Sequence, residues 1–506
     1  MKQVVLAFGA MMWVLAASAQ EQHSHPPPEK LGSVTFATSC APSVTQDFER
    51  AVALLHSFAY TDSEKAFRNV AVSDPACAMA HWGIAMSYYH QLWSPPGPAE
   101  LSKGEAEIGQ AAQLNARSER ERLLIAALRA YYRGSDHLTH RVRAKSYEEA
   151  MSTAAGSYPK DTEVQVFYAL ALIGTASLED RSHSSQKRAA AILEPIYRDQ
   201  PDHPGVAHYL IHAYDSAELA PRGLAAARAY SKIAPSAPHA LHMPSHIFTR
   251  LGLWDDSIAS NSDARMAAHS QGDLGEELHA MDYLTYAYLQ RGRQADAEQV
   301  VAGLGTMGGA PGSDFKVGYS TTVMPIRLAM ERHKWDAAVA IQPLADSPPQ
   351  VAAIVFWARA VGNARAGHPQ AADADIARLE TCRQQLQAAG NAYWATQVDV
   401  LVREATAWRA AASPDANDAI QGLRQAADEE DAIEKLPVTP GPIVPAREQL
   451  GDLFLALNRP RDALREYQAA LAAAPGRRGA LTGAAQAAEI VGDIQTATKM
   501  RAALSN

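Results

Sequence analysis

The chain has 506 residues, 47% of them hydrophobic, and a formal net charge of −9 at pH 7. With no basic run to neutralise phosphates, that balance excludes a surface that tracks a nucleic-acid backbone. The only cysteines are Cys40, Cys77 and Cys382, too few for a disulfide-built scaffold. A single Cys40–Cys77 bridge suits an oxidising compartment, and three buried thiols are the alternative.

At the amino terminus, Lys2 precedes an apolar run from Val4 to Ala17, and Ala17-Ser18-Ala19 supplies the small-x-small pattern of a signal-peptidase site. Residues 1–19 are therefore expected to be a cleaved signal peptide, which places the mature protein in the periplasm or outside the cell. The run is shorter than the roughly twenty apolar residues that cross a bilayer. No later segment is long and apolar enough either, so no membrane span is expected after cleavage. Residues 20–34, with Pro26-Pro27-Pro28 among them, carry too little apolar surface to offset ordering entropy and read as a flexible tether.

From residue 35 to 302, apolar residues recur at three- and four-residue spacing between turns, the pattern of stacked helices. The early segment Ala80–Trp93 gathers His81, Trp82, Gly83, Tyr88, Tyr89 and His90 on one helix. Further on, eight of the eighteen histidines fall between His203 and His279. His208, His212 and Asp215 stand at i, i+4 and i+7. His239, His242 and His246 stand at i, i+3 and i+7, as do His279, Asp282 and Tyr286. Each set occupies one stripe of its helix. Pro244 sits in the middle of the second set and must kink its helix or delay its start, which would move His239 and His242 off the stripe.

Two breaks interrupt the array. Residues 303–318 are glycine-rich and read as an extended connection, either a linker or a lid. The Gly303-x-Gly305-x-x-Gly308 string within them lacks the βαβ context of a dinucleotide site. The array resumes over 319–435. Residues 436–444 form a proline-rich linker before a C-terminal helical pair over 445–506.

In that last pair, Leu450-Gly451, Phe454, Ala463, Tyr467, Ala470 and Pro475 have the mutual spacings of the 34-residue repeat, with Ala485, Ala488 and Ala497 in register one repeat later. The chain thus resembles the tetratricopeptide repeat family, specifically over Pro445–Pro475 and more loosely elsewhere. The resemblance implies an all-α, right-handed solenoid of about eight to eleven antiparallel helix pairs. Its first helices would line a concave groove that binds a peptide, an envelope protein or a small molecule. The string His208-Tyr-Leu-Ile-His212-Ala-Tyr-Asp215 is also similar to strings in exported bacterial repeat proteins of unassigned activity, so it implies no reaction.

Aligned to the family, the three histidine stripes fall on groove-facing positions of consecutive repeats. Tyr286 and Arg327 face the same groove, with Glu448 aligned likewise, while His81, Tyr88 and His90 are candidates for its N-terminal end and His56 has a similar claim. Neutral imidazoles at i, i+4 with nearby carboxylates suit a transition metal, copper, zinc or iron. The candidate ligands are His208, His212, Asp215, His239, His242, His246, His279 and Asp282. Neither pair reads His-Glu-x-x-His, and no phosphate loop, serine elbow, Cys-x-x-Cys or haem-attachment string is present. Three readings stay open: a metal site, a metal-free groove for a protein partner, and a metal-dependent oxidase or hydrolase on the same histidines.

Overall fold

Helices Ala446–Ala456 and Pro460–Ala473 show how one repeat is built. Phe454, Ala463 and Tyr467 are buried between them. A Cβ on Gly451 would stand 2.7 Å from the Tyr467 ring, so only glycine lets the two helices approach this closely. The Tyr467 hydroxyl then reaches back to Asp452 at 2.7 Å. Gly83 meets the Phe67 ring in the same way near the other end of the chain, so Trp82-Gly83 is a packing pair of the same kind.

The computed structural model describes residues 29–92, 94–307, 315–436 and 438–505. The predicted signal peptide, and residues 20–28 of the predicted tether, lie outside them. Among the described residues there are α- and 3-10 helices and no strand. Each helix packs on the next in chain order, the arrangement of a solenoid of tetratricopeptide type. The apolar interior runs through successive clusters, from Leu31 to Phe248, Trp254 to Met324 and Tyr319 to Ala487.

Contacts between distant repeats also hold the coil together. Helix Thr45–His56 touches helix Pro204–Tyr214, and helix Leu274–Gln290 touches helix Arg478–Val491. The Trp254 indole donates to the Gly476 carbonyl at 3.0 Å, and the Arg478 amide donates to Gln290 at 2.8 Å. Arg477, 0% exposed, joins Glu448 at 2.6 Å, Glu331 at 2.9 Å and the Ile443 carbonyl at 3.2 Å.

Three segments differ from their expected character. Residues 29–34 of the predicted tether are docked: Leu31 is buried, the Lys30 amide donates to Ser236 and the Ser33 amide to the Asp202 carbonyl. Their own apolar content is small, but Leu31 and Phe36 find ready-made slots on the array. Residues 303–318 are not one extended connection, because Gly303–Thr306 is a 3-10 turn and helix Phe315–Glu331 has begun; residues 308–314 lie outside the described ones. The proline-rich 436–444 is no plain spacer. Val438 is buried, and the Gly441 and Pro442 carbonyls accept from the Arg327 guanidinium at 3.5 and 3.3 Å. Just before it, the Glu434 amide donates to the Leu178 carbonyl at 3.2 Å. The chain therefore fills part of its own groove.

Replacing Arg477 with leucine strands Glu448 and Glu331 as buried charges. The expected loss is about 3–5 kcal/mol, read as a lower urea midpoint of tryptophan fluorescence; an unchanged midpoint would show that the repeats are held together elsewhere.

Candidate metal centre

Helix Pro204–Tyr214 begins with His203 as its N-cap, whose Nδ1 accepts from the Val206 amide at 3.3 Å, and with Pro204 in its first turn. It carries His208 and His212. After the intervening helix Ala220–Ile233, the first helix of the following repeat breaks at Met243 into Pro238–His242 and Pro244–Arg250, as Pro244 requires. The break does not scatter the stripe, since Met243 keeps right-handed helical angles and His246 still lies over His242. Helix Leu274–Gln290, N-capped by Asp273, carries His279 and Asp282.

These helices sort the six histidines into two triads, His208/His212/His239 and His242/His246/His279, with ligand nitrogens within 4.8 Å of one another in each. The triads adjoin: ring centroids of His212 and His246, and of His239 and His242, are 6.2 Å apart. All six side chains are between 0 and 6% exposed. An aromatic ring covers each triad. Phe58 lies 4.4 Å from His208 and 5.6 Å from His239. Tyr283 lies 4.8 Å from His242 and 5.1 Å from His246. Phe58 adopts a φ of 55°, an uncommon left-handed angle for a bulky residue, held where its ring meets the imidazoles.

The surroundings fix the tautomers. His246 Nδ1 donates to the Asp215 carboxylate at 2.9 Å. His242 Nδ1 donates to Asn261 Oδ1 at 2.7 Å, and Asn261 is itself oriented by its amide nitrogen donating to the Ser257 carbonyl. Each ring therefore carries its proton on Nδ1 and a lone pair on Nε2. Those two Nε2 atoms face each other at 3.0 Å. In the first triad, His208 Nδ1 donates to the His56 carbonyl at 2.6 Å, and its Nε2 lone pair meets His212 Nε2 at 3.0 Å. His239 Nδ1 lies 3.4 Å from Glu276.

A shared proton does not resolve the facing lone pairs at neutral pH. Burial, with the neighbouring imidazoles adding to it, pushes His208, His212, His242 and His279 well below the ordinary histidine value. Burial brings His246 down to about 4 despite Asp215. Burial alone would raise Asp215, but Lys435 and Arg250 outweigh it and hold the carboxyl well below its usual range. Arg250 Nε sits 2.8 Å and Lys435 Nζ 3.2 Å from that carboxylate.

Not all expected ligands join. Asp215 supports His246 from behind, the carboxylate–histidine arrangement usual around metals. Asp282 is turned to Arg327 at 3.5 Å, both fully buried, and neither reaches the triads. Tyr286 packs against the Arg327 guanidinium and the Trp254 ring. His81 is bound to Glu107 at 2.7 Å, the Tyr88 hydroxyl to Glu64 at 2.6 Å, and His90 to the Ser94 carbonyl at 3.1 Å. Each of these three groove candidates thus has a protein partner of its own, His81 and Tyr88 on neighbouring helices and His90 within its own loop. Glu448 is likewise consumed by Arg477. Cys40 and Cys77 are disulfide-bonded, with Cα atoms 4.7 Å apart.

A further group, His56/Glu163/His203, has ligand-like spacing but is internally satisfied. Both His56 Nε2 and His203 Nε2 bond the Glu163 carboxylate at 2.9 Å, while their Nδ1 atoms bond the Tyr209 hydroxyl and the Val206 amide. Sequence reasoning missed Asn261, Glu276, Arg250, Lys435, Phe58 and Tyr283. Glu276 had a signal at i−3 from His279, as did Tyr283 at i+4 from His279 and Arg250 at i+4 from His246.

No protein-family model matches the chain, and no curated protein does. Among solved structures it is similar to a human IFIT1 dimer with m7Gppp-AAAA, at 12% identity and a TM-score of 0.38, covering 84% of this chain and 89% of that one. It is also similar to Naa15/Naa10 bound to HypK-THB, at 12% identity and a TM-score of 0.25, covering 91% and 67%.

The buried imidazoles set an acid limit. His246 titrates at about 4 in the folded chain against 6.5 when free, so the unfolded chain binds more protons between those values. Chelator-treated protein should hold full stability above the free value and lose it as pH falls toward about 4. Thermal midpoints from neutral pH downward check this; a flat profile would contradict the buried neutral state.

Proposed function

We propose that the chain is an exported solenoid that holds a pair of transition-metal ions, one in each histidine triad. The observation that carries this is the 3.0 Å approach of two Nε2 lone pairs, His242 and His246, whose Nδ1 protons are committed to Asn261 and Asp215. Two lone pairs so placed repel unless a cation lies between them. The same geometry with a proton is disfavoured by burial.

The donor set narrows the ion. Six neutral imidazoles with no thiolate suit copper, zinc, iron or nickel. The nearby carboxylates are already balanced: Asp215 by Arg250 and Lys435, Asp282 by Arg327, and Glu276 by Lys316. Little negative charge is left to offset two divalent ions in a buried site. Copper(I), or a divalent pair sharing a small bridging anion, meets that constraint best. Three protein donors leave a coordination position open, where water or dioxygen could be activated as in a metal-dependent oxidase or hydrolase.

The metal-free peptide groove is supported less, since histidines at most 6% exposed cannot be read by a docked partner. Export is supported by the apolar leader over residues 1–19 and by the Cys40–Cys77 bond, which suits an oxidising compartment.

Elemental analysis of protein purified without chelator or affinity metal should find about two equivalents per chain. No metal before or after addition would sink the proposal. The His208→Ala, His212→Ala double variant should retain about one equivalent, in the other triad, and Asp215→Asn should weaken metal affinity by about 10–100-fold.

A further inference from the structure

A cavity of about 490 Å3 lies beside the histidine centre, separated from it by Asp215, Arg250 and Lys435, and none of the six histidines lines it. Its lining includes the exposed residues Arg181, Ala217, Asp431, Ala469, Ala472 and Ala473. Its volume is that of a small-molecule site. The interior is aromatic: Tyr319, Trp357, Tyr393 and Trp394 line it, the last two 5.3 Å apart edge to face.

The charges on its wall are unequally partnered. Every cation is already paired. Arg250 bonds Asp215 and Glu434, Lys435 bonds Asp215, and Arg181 bonds Glu434. Arg447 bonds Asp428, Asp431 and Glu466. Among the described residues, the carboxyls Glu404 and Glu430 have no such ion-pair partner. Glu404 is 1% exposed, and its Oε2 has no hydrogen-bond partner among the described residues. Its polar neighbours are Gln449 and Trp357, and its charged neighbour is Glu430, a like charge. Among the described residues, the Glu430 carboxyl accepts from the Ala446 amide, at 3.3 Å. The guanidinium groups that act on it, Arg477 and Arg447, are bonded to other carboxylates.

A buried carboxyl oxygen without a donor is costly unless something fills that need. Burial, and then the like charge of Glu430, keep Glu404 well above its usual range, and burial takes Glu430 up to about 8. Both acids are thereby biased toward the protonated form, and an arriving positive charge would favour their ionisation, the protons passing to solvent. Aromatic faces around such a pair complete the recognition chemistry of an organic cation, through cation–π attraction on the rings and a charge-assisted hydrogen bond or ion pair at the carboxyl. A neutral or anionic ligand would leave Glu404 in its neutral form and gain nothing from its ionisation.

We propose that this cavity is a binding site for a small organic ammonium, held by the Glu404 and Glu430 carboxyls and caged by Trp357, Trp394, Tyr393 and Tyr319. The proposal does not depend on the metal reading, because the cavity shares no histidine with the triads.

The test titrates the full-length chain with tetramethylammonium and n-butylammonium chloride, reading tryptophan fluorescence and calorimetric heat. The controls are 3,3-dimethylbutan-1-ol, a neutral probe of similar shape, and sodium butyrate. Saturable binding of a cation, with the alcohol and butyrate weaker by about tenfold or more, is expected. Glu404→Gln should weaken cation binding by about tenfold or more while metal content and helical circular dichroism stay as in the parent. Equal binding of the alcohol, a preference for butyrate, no response to either cation, or an unchanged affinity in Glu404→Gln would each overturn the proposal. Should Glu404→Gln not fold, Trp394→Leu and the parent chain's preference for cation over alcohol decide the matter. Metal content is measured on every sample, so loss of metal with ammonium binding retained separates failure of the metal reading from failure of this one.

Discussion

The Asp215 carboxylate is the point on which the rest of the structure turns. It ends the helix that carries His208 and His212, accepts from His246 of the next repeat, and binds Arg250 and, far along the chain, Lys435. One buried anion therefore fixes an imidazole tautomer, ties two neighbouring repeats, and anchors the segment that fills the groove. Its side chain is 5% exposed, so the two cations are what let it stay ionised there; without them, burial would favour the neutral acid. A neutral Asp215 would no longer hold the His246 proton on Nδ1 by charge, and the lone-pair arrangement would lose its director.

This node converts an array of local contacts into a closed object. In an ordinary solenoid each repeat touches only its neighbours, and the concave face stays open. Here Glu434 and Lys435 cross that face, and Arg477 joins the last repeats to Tyr286 and Glu331. Closure has two consequences. Six imidazoles are withdrawn from water, which removes their competing protons, and a second space is enclosed on the far side of Arg250. The centre and the cavity are thus products of one fold-back and share a wall.

What was legible in the sequence follows a physical line between local and long-range order. The helix pairs were readable because Gly451, Phe454, Ala463 and Tyr467 act within one repeat. So were the stripes of His208/His212 and His242/His246, because i, i+4 spacing places both rings on one face whatever the rest of the chain does. Even the Pro244 break was visible, although its outcome was not: keeping Met243 helical preserves the stripe. The partners that give the histidines their chemistry were illegible. The His56 carbonyl, Asn261 and Lys435 reach the centre from 152, 19 and 220 residues away from the groups they bond. Asp282 and Arg327 misled for the same reason, since each fits a groove position by register but the two are turned to each other as an ion pair. Proline-rich 436–444 carried the composition of a linker, and its binding role lies in main-chain carbonyls, which no residue type reveals.

The burial of the triads also constrains how an ion would reach them. With none of the six triad histidines more than 6% exposed, exchange would have to pass through a local opening, whose free energy would set how slowly a metal enters and leaves. The groove-filling segment is the natural place for that opening, because it is held by polar contacts to Arg250, Asp215 and Arg327 rather than by a broad apolar interface. Releasing Lys435 and Glu434 would at once uncover the His246 side of the centre and withdraw a cation from Asp215. That raises the carboxylate's attraction for an incoming positive ion at the moment of access. A seated ion would relieve the repulsion between the facing nitrogens and stabilise the closed form by mass action. Capture and closure would then favour each other, and the empty centre would be the less stable form of the chain.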